Sequence, residues 1–427
     1  MNTILRTLLY EWKDRKLPET IGRDAPLDTA LQQGTNNATV ITGFRRVGKT
    51  YLLFEAIKKL LETRSREEIV YINFEDERII SPSTYLLTDL IPEIQAVYGR
   101  KPKYLFLDEL QLIPYWSKWV RRILDTESIQ LFITGSSSKM SSAELPTELR
   151  GRAWEVKVSP LTFHEFLRFK QTKIDFDKLA LVKDEMARFR FLFDEYLIFG
   201  ALPAVVLTAQ EKKQELLQSY FQTVVQRDIA ERYKIDNEIA LKTLLKLVIN
   251  SSYITISKLA NSLKSMSIPV GKSTVDKYLS YIGSSYFMNE LYIHHPSVRN
   301  QLQYARKVYF VDTGFITALS TKFSKNMGRL FENVVFQQLA RENETMHYYK
   351  DSQGNEVDFT ILEDGKTTAL YQVCFDLTDE ETQKREVRSL LKASAALNCQ
   401  NLNLLTLEKS DSKLPQTIKI IPIAEFL

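Results

Sequence analysis

Eight residues, Gly43-Phe44-Arg45-Arg46-Val47-Gly48-Lys49-Thr50, fit the pattern G-x-x-x-x-G-K-S/T at every fixed position. The chemistry that this spacing serves is phosphate binding. Gly43 and Gly48 permit backbone angles and a close approach that a Cβ would block. The amides of Phe44, Arg45, Arg46 and Val47 then turn inward and cradle phosphate oxygens. A helix that begins here and runs on through Tyr51 adds its positive dipole end. Lys49 is expected on the β- and γ-phosphates, and the Thr50 hydroxyl on a Mg2+ ion. ATP and Mg2+ are the expected ligands.

A second constellation follows about 60 residues later, where Tyr104-Leu105-Phe106-Leu107-Asp108-Glu109 is an apolar run closed by two carboxylates. A buried strand ending at Asp108 places that carboxylate beside the metal, directly or through water. Glu109 is then left to polarise the attacking water. Next, Leu131-Phe132-Ile133-Thr134 runs into Gly135-Ser136-Ser137-Ser138. Ser136 is the candidate for a hydroxyl near the γ-phosphate, and the alternative is a serine-rich strand–helix turn. Leu149-Arg150-Gly151-Arg152 offers two arginines for the γ-phosphate, in the same subunit or across an interface. The alternative is a solvated loop, and spacing does not choose between Arg150 and Arg152.

Such residues need a scaffold that brings strand ends together. Strand candidates are Thr39–Thr42, Ile69–Phe74, Tyr104–Asp108, Leu131–Thr134 and Ala153–Val158, with amphipathic stretches such as Tyr51–Leu61 and Trp116–Leu124 between them. That alternation predicts an α/β fold, a parallel sheet with helices on both faces. From Leu161 to about Lys325 the pattern is mostly helical, and from Met327 onward helix and strand mix again. No internal repeat points to a solenoid.

Composition narrows the function classes. With 44% hydrophobic and 26% charged residues, the chain reads as globular rather than disordered. Two cysteines and four histidines are too few for a disulfide framework or a Cys/His metal cluster. Arg6 and Glu11 interrupt the apolar core that a signal peptide needs. The longest apolar run, Tyr196–Leu207, contains Gly200 and Pro203, and is short of the roughly 20 residues that cross a bilayer. A cytoplasmic setting without membrane insertion is expected.

Charge is unevenly spread. Residues 240–310 hold nine Lys or Arg against two acids, a local charge of +7, which suits nucleic acid better than the overall +4 does. Leu241–Asn250, Thr255–Leu263 and Lys272–Ile282 read as three helices, and Tyr286–Tyr292 and Val308–Asp312 as strands. Three helices and a β-ribbon are the order of a winged helix. Its third helix would carry Lys272, Thr274 and Lys277 to DNA. The alternative is a module that packs on protein and shows a solvated basic face.

With these motifs the sequence resembles a group of prokaryotic AAA+-superfamily ATPases in which a P-loop core precedes a winged helix and a C-terminal PD-(D/E)XK nuclease-type domain. The resemblance rests on the stretches Thr42–Thr50, Leu107–Gln111, Thr134–Ser138 and Leu149–Arg152. It continues through Pro160–Phe163 with Glu165-Phe166, Gly200–Pro203, Arg227–Ile229, Gly328–Asn333 and Glu356–Phe359, so it spans about Arg23 to Leu407. It implies Mg2+-dependent ATP hydrolysis in a prokaryotic cytoplasm. For the last domain it implies a nuclease-like site at Glu332, Asp358 and Gln372. Where such nucleases carry a lysine, this sequence has Cys374. A buried thiol supplies no permanent positive charge and prefers softer metals than Mg2+. A degenerate site without nuclease activity is therefore expected. Lys350, Lys384 and Arg388 are the neighbouring candidates to replace the lysine.

The expected organisation is a P-loop core over residues 1–158 and a helical lid or linker over 159–239. A winged helix over 240–325 and a nuclease-like domain over 326–427 follow. The expected function is ATP binding and hydrolysis coupled to DNA contact. A nucleotide-dependent switch that contacts a protein partner through the last domain is one alternative, and an ATP-gated nuclease is another. A homo-oligomer is compatible with each.

Overall fold

The computed structural model describes residues 2–32, 34, 36–135, 149–320, 326–408 and 414–427. The chain forms two compact units, Met1–Ser159 with Ser284–Tyr286, and Pro160–Gly283 with Phe287–Leu427.

The first unit is built on five strands: β1 (Ala38–Thr42), β2 (Ile69–Asn73), β3 (Tyr104–Asp108), β4 (Gln130–Gly135) and β5 (Ala153–Lys157). They lie in the order β2-β3-β4-β1-β5, and every neighbouring pair is parallel. Near-continuous apolar residues in β2, β3 and β4 reflect burial on both faces; β1 and β4 are buried at every position. Phe106 and Phe132 stack across β3 and β4 with ring centroids 4.6 Å apart. Helices Lys49–Leu61, Thr84–Tyr98 and Trp116–Thr126 supply the crossovers. All five strands run the same way, so the loops after β1, β3 and β4 emerge at one edge of the sheet. That edge is where the motif residues sit.

The second unit starts with helices. Phe163–Phe169 opens on a reciprocal cap, with the Thr162 hydroxyl accepting from Glu165 N and the Glu165 carboxylate accepting from Thr162 N. Phe163, Phe166, Phe189, Phe193 and Tyr196 form an aromatic cluster beneath it. At the end of helix Lys183–Phe199, Gly200 has φ 73°, and a Cβ there would lie 1.6 Å from Asp312 Oδ1. The Asp312 carboxylate accepts from the amides of Ala201 (2.7 Å) and Gly314 (2.8 Å). Two segments more than a hundred residues apart in sequence are thus joined at a point where only glycine fits. Helix Gln210–Thr223 continues into a π-helical turn, Val224–Glu231.

Next come helix Glu238–Ile249, β6 (Tyr253–Ile254), helices Ile256–Ser265 and Lys272–Ser284, then β7 (Met288–Leu291) and β8 (Arg306–Phe310). The three strands form an antiparallel sheet in the order β6-β8-β7. The short strand β6 was not expected, because two residues carry no periodicity. Helix Met327–Glu342 leads to β9 (Met346–Lys350), β10 (Glu356–Glu363) and β11 (Lys366–Cys374). Helix Glu380–Leu397, β12 (Leu402–Thr406) and β13 (Ile418–Pro422) complete this sheet, ordered β13-β12-β11-β10-β9. Asp364-Gly365 makes the tight turn between antiparallel β10 and β11, as the Asp-Gly pair predicts. The remaining pairs, β11–β12 and β12–β13, are parallel. Among the described residues, no helix is long and apolar enough to cross a membrane.

Candidate functional site

The loop between β1 and helix Lys49–Leu61 has the geometry that its glycines predict. Gly43 has φ 140°, and a Cβ on it would lie 2.1 Å from the carbonyl oxygen of Val158. Gly48, with φ 98°, stands at the N-cap of the helix, and Arg46 also takes a positive φ of 71°. Phe44 and Val47 turn their side chains into the core. Lys49 is buried at 6% exposure, and its ammonium donates to the carbonyls of Gly43 and Phe44, both at 3.0 Å. Arg45 approaches Glu75 at 3.4 Å, and Tyr51 is exposed on the first helical turn. Arg23 braces the loop: its guanidinium donates to Val47 O at 2.7 Å and Ser159 O at 2.9 Å. No spacing in the sequence marks Arg23 for this role.

Asp108 lies at the C-terminal end of β3 and is 1% exposed. Its Oδ2 accepts from the Thr50 hydroxyl at 2.8 Å and from the Tyr71 hydroxyl at 2.8 Å, and its Oδ1 accepts from Thr134. Burial pushes the Asp108 carboxyl above the usual range despite the three hydroxyl donors. It is a buried acid next to the phosphate loop, short of a positive charge. An oxygen-liganded divalent cation suits that donor set. Tyr71 was missed by sequence reasoning, since a tyrosine in an apolar strand reads as core. Its own hydroxyl is held protonated by burial and by the Asp108 carboxylate.

Glu109 follows with φ 55°, a left-handed conformation that a non-glycine residue adopts only under constraint. Its amide donates to Thr134 Oγ1 at 3.0 Å, and its carboxylate accepts from the Gln111 side-chain amide. Ser136 lies outside the described residues. Arg150 and Arg152 require a correction to one of the two expected arrangements. They precede β5, and the Arg152 carbonyl accepts from Ala38 N at the start of β1. They therefore sit at the opposite edge of the sheet from the phosphate loop, about 13 Å or more away along β1. Contact with the γ-phosphate of the same subunit is ruled out by that strand length. Arg152 pairs with Asp125, while Arg150 is exposed.

The other predicted residues belong to the second unit. Lys272 and Lys277 are exposed on helix Lys272–Ser284, and Thr274 is half-buried on its first turn. The Lys277 ammonium lies 5.7 Å from the Tyr281 ring, which stacks on Tyr233 at 3.7 Å.

The nuclease-like residues do converge, but around an unexpected partner. Lys307 of β8 is 4% exposed, and its ammonium lies 2.6 Å from Asp358 Oδ1, 3.0 Å from Glu332 Oε1 and 3.0 Å from Glu356 Oε1. Burial alone would pull this ammonium's pKa down; Asp358 and Glu332 outweigh it and hold it well above the usual lysine value. Gln372 turns its Oε1 to Asp358 N at 3.2 Å and its Nε2 to Glu386 at 2.5 Å. Cys374 is buried, and burial pushes its thiol up to about 11, so it stays neutral. The three neighbouring cations do not replace the lysine. Lys350 pairs with Glu356 at 3.1 Å, Lys384 with Glu380 at 3.3 Å, and Arg388 donates to Asn355 at 3.2 Å. The cation among these carboxylates comes from a strand 51 residues away in sequence. Neither Glu356 nor Lys307 was singled out in the sequence; Glu356 alternates with Asp358 on β10, whereas Lys307 left no trace in spacing.

Five parallel strands, a glycine cradle on β1 and a carboxylate on β3 define an AAA-type P-loop fold. Similarity to known proteins agrees: residues 35–167 match the family model of the AAA domain. Residues 190–326 match the domain of unknown function DUF8612, and residues 327–426 match the domain of unknown function DUF4143. The uncharacterized protein MJ1544 of Methanocaldococcus jannaschii is 36% identical over 391 residues, 90% of this chain and 85% of that protein. The chain belongs to the same family as MJ1544. An uncharacterized protein of Haemophilus influenzae is 28% identical over 84% of this chain and 88% of its own length. Among solved structures, the Walker-type ATPase paby2304 of Pyrococcus abyssi is 13% identical, with a TM-score of 0.48, covering 72% of this chain and 99% of that one.

Proposed function

We propose that this chain is a Mg2+-dependent ATPase. The observation that carries the reading is the hydrogen bond of Thr50 to the buried Asp108 carboxylate at 2.8 Å, directly beside the glycine cradle. ATP would lie on the amides of residues 43–50, with Lys49 on its terminal phosphates. Thr50 and Asp108 would hold the metal, which neutralises charge building on the phosphoryl oxygens. Tyr71 and Thr134 orient Asp108, and Glu109 takes a proton from the attacking water once Gln111 yields its hydrogen bond. Arg150, exposed at the far edge, fits the nucleotide of a neighbouring copy, so the active form is a homo-oligomer. A cytoplasmic setting belongs to this proposal, in keeping with two buried free thiols, Cys374 and Cys399.

The test is ATP turnover by purified wild type, Lys49→Ala and Glu109→Gln. Loss of binding in the first variant and loss of turnover with binding retained in the second are expected. Wild-type turnover by Glu109→Gln would move the base elsewhere.

A second reading, DNA contact through a winged helix, is favoured by the order helix–β6–helix–helix–β7–helix–β8, in which β7 and β8 pair antiparallel, and by exposed Lys272 and Lys277. The nucleotide state would then gate a basic surface. Stimulation of turnover by duplex DNA supports it, and its absence favours a protein partner.

A further inference from the structure

The C-terminal sheet has the outline of a metal-dependent site, and its residues do not fit a metal. Glu332 projects from helix Met327–Glu342, and Glu356 and Asp358 from β10. In a PD-(D/E)XK nuclease such carboxylates hold a divalent cation. Here the space between them is taken. Each of the three gives one oxygen to the Lys307 ammonium, within 2.6–3.0 Å. The second oxygen of Asp358 accepts from Val373 N at 2.9 Å. The Tyr309 hydroxyl donates to Glu332 at 2.6 Å, and the Tyr253 hydroxyl to Glu356. The rings of Tyr253 and Tyr348 lie 5.5 and 5.9 Å from the ammonium, which adds cation–π attraction. What remains is a cavity of about 240 Å3 lined by Lys307, the three carboxylates, Tyr253, Tyr309 and Arg329.

Charge balance points the same way. Lys350 pairs with Glu356, and Arg329, half-way buried beside Glu332, donates to the carbonyls of Ile249 and Ser251. Three carboxylates thus face three cations: Lys307, Lys350 and Arg329. A divalent ion entering this set would meet the ammonium at close range and find no uncompensated charge. Among the described residues, no group of three or more His, Cys, Asp or Glu is arranged to hold a metal ion.

We propose that the Lys307 ammonium is the resident cation of this site: β8 reaches into the acidic cluster of the C-terminal sheet, locks the two modules together and keeps divalent metal out. The arrangement differs from a working nuclease, in which the lysine stands beside the metal and both face the phosphate. The donor of the plug is a separate module in the chain, so the site opens only if β8 and β10 move apart. The inference is independent of the nucleotide chemistry of the first unit.

The experiment is Mn2+ binding to the full, nucleotide-free chain, followed by electron paramagnetic resonance. Wild type, Lys307→Met, Lys307→Arg, Asp358→Asn and the Lys307→Met/Asp358→Asn double variant are compared. Lys307→Met is expected to bind one Mn2+ more than wild type, at least tenfold tighter than any ion that wild type holds at this site. Lys307→Arg keeps a cation in place and gains none, and the double variant loses the gain. A wild-type Mn2+ ion that disappears in Asp358→Asn overturns the proposal, because metal and lysine would then share the site. A folded Lys307→Met that gains no ion overturns it equally. Should Lys307→Met fail to fold, wild type against Lys307→Arg and Asp358→Asn decides: equal Mn2+ counts uphold the plug, and a count lowered by Asp358→Asn refutes it.

Discussion

Two of the buried lysines, Lys49 in the first unit and Lys307 in the second, are held in opposite ways. Lys49 keeps hydrogen bonds to two neutral carbonyl oxygens of its own loop. Lys307 points its ammonium at three carboxylates from two different elements. Neutral acceptors yield to a phosphate, whose charge-assisted hydrogen bonds are roughly twice as strong. Carboxylates in a buried cluster do not yield to an anion. The carbonyl contacts of the first lysine can be exchanged for a phosphate, and the acidic cluster of the second cannot. The same residue type at similar burial serves binding in one place and cohesion in the other, and the acceptors decide which.

The contrast can be broken most forcefully at the reaction itself. Glu109→Gln should lower turnover by about 10²–10⁴-fold with ATP affinity retained, since an amide cannot accept the water's proton. Steady-state phosphate release with parallel calorimetry checks it. Next in size is the stability difference between the lysines. Lys307→Met should destabilise the chain by about 3–5 kcal/mol, the usual cost of leaving buried carboxylates without their cation. Lys49→Ala should lower the urea midpoint of the nucleotide-free chain less than Lys307→Met does. It should instead weaken MgATP by about 10- to 100-fold, one or two charge-assisted hydrogen bonds. If Lys49→Ala proved the more destabilising of the two, the contrast would fail.

A third buried group sharpens the role of the cation. Asp312 is held by backbone amides of Ala201 and Gly314, and burial raises its carboxyl to about 6. An unfolded Asp titrates near 3.9. The folded chain thus binds this proton more tightly. The stabilisation is fully present below about pH 4 and is lost as pH rises through about 6. The whole span is on the order of 3 kcal/mol. Asp312→Asn should flatten the fall in melting temperature between pH 5 and 7, and an unchanged slope would assign the titration to another group. The smallest expected effect concerns lysines in solvent. Lys272→Glu with Lys277→Glu should reduce the log–log salt slope of duplex DNA binding by about 0.9 for each phosphate no longer neutralised.

Much of the first unit was legible because its chemistry is local. The glycines, Lys49 and Thr50 form one contiguous loop, and Asp108 closes an apolar strand whose burial shows in its composition. Strand boundaries fell within a residue or two for the same reason. The second unit was legible as a pattern of helices and strands, and Glu332, Asp358 and Gln372 were singled out only by resemblance. What the resemblance did not contain was their cation. Cys374 in the lysine's usual place marked the gap, but the cations nearest to it in sequence, Lys350, Lys384 and Arg388, are engaged with other partners.

The sequence by itself determined the cradle, the carboxylate strand that serves it, and the alternation that makes the sheet parallel, since each depends on residues within one element or its neighbour. Tertiary structure alone decided the rest. It put Tyr71 and Thr134 on Asp108 and Arg23 behind the loop. It set Arg150 and Arg152 at the far edge of the sheet, because β1 and β5 run in the same direction. It also drew Lys307 into an acidic cluster whose Asp358 lies 51 residues away in sequence. A strand's periodicity says which face a side chain takes, and not which other element will cover that face. For a buried charge, that second fact selects between a ligand site and an internal ion cluster.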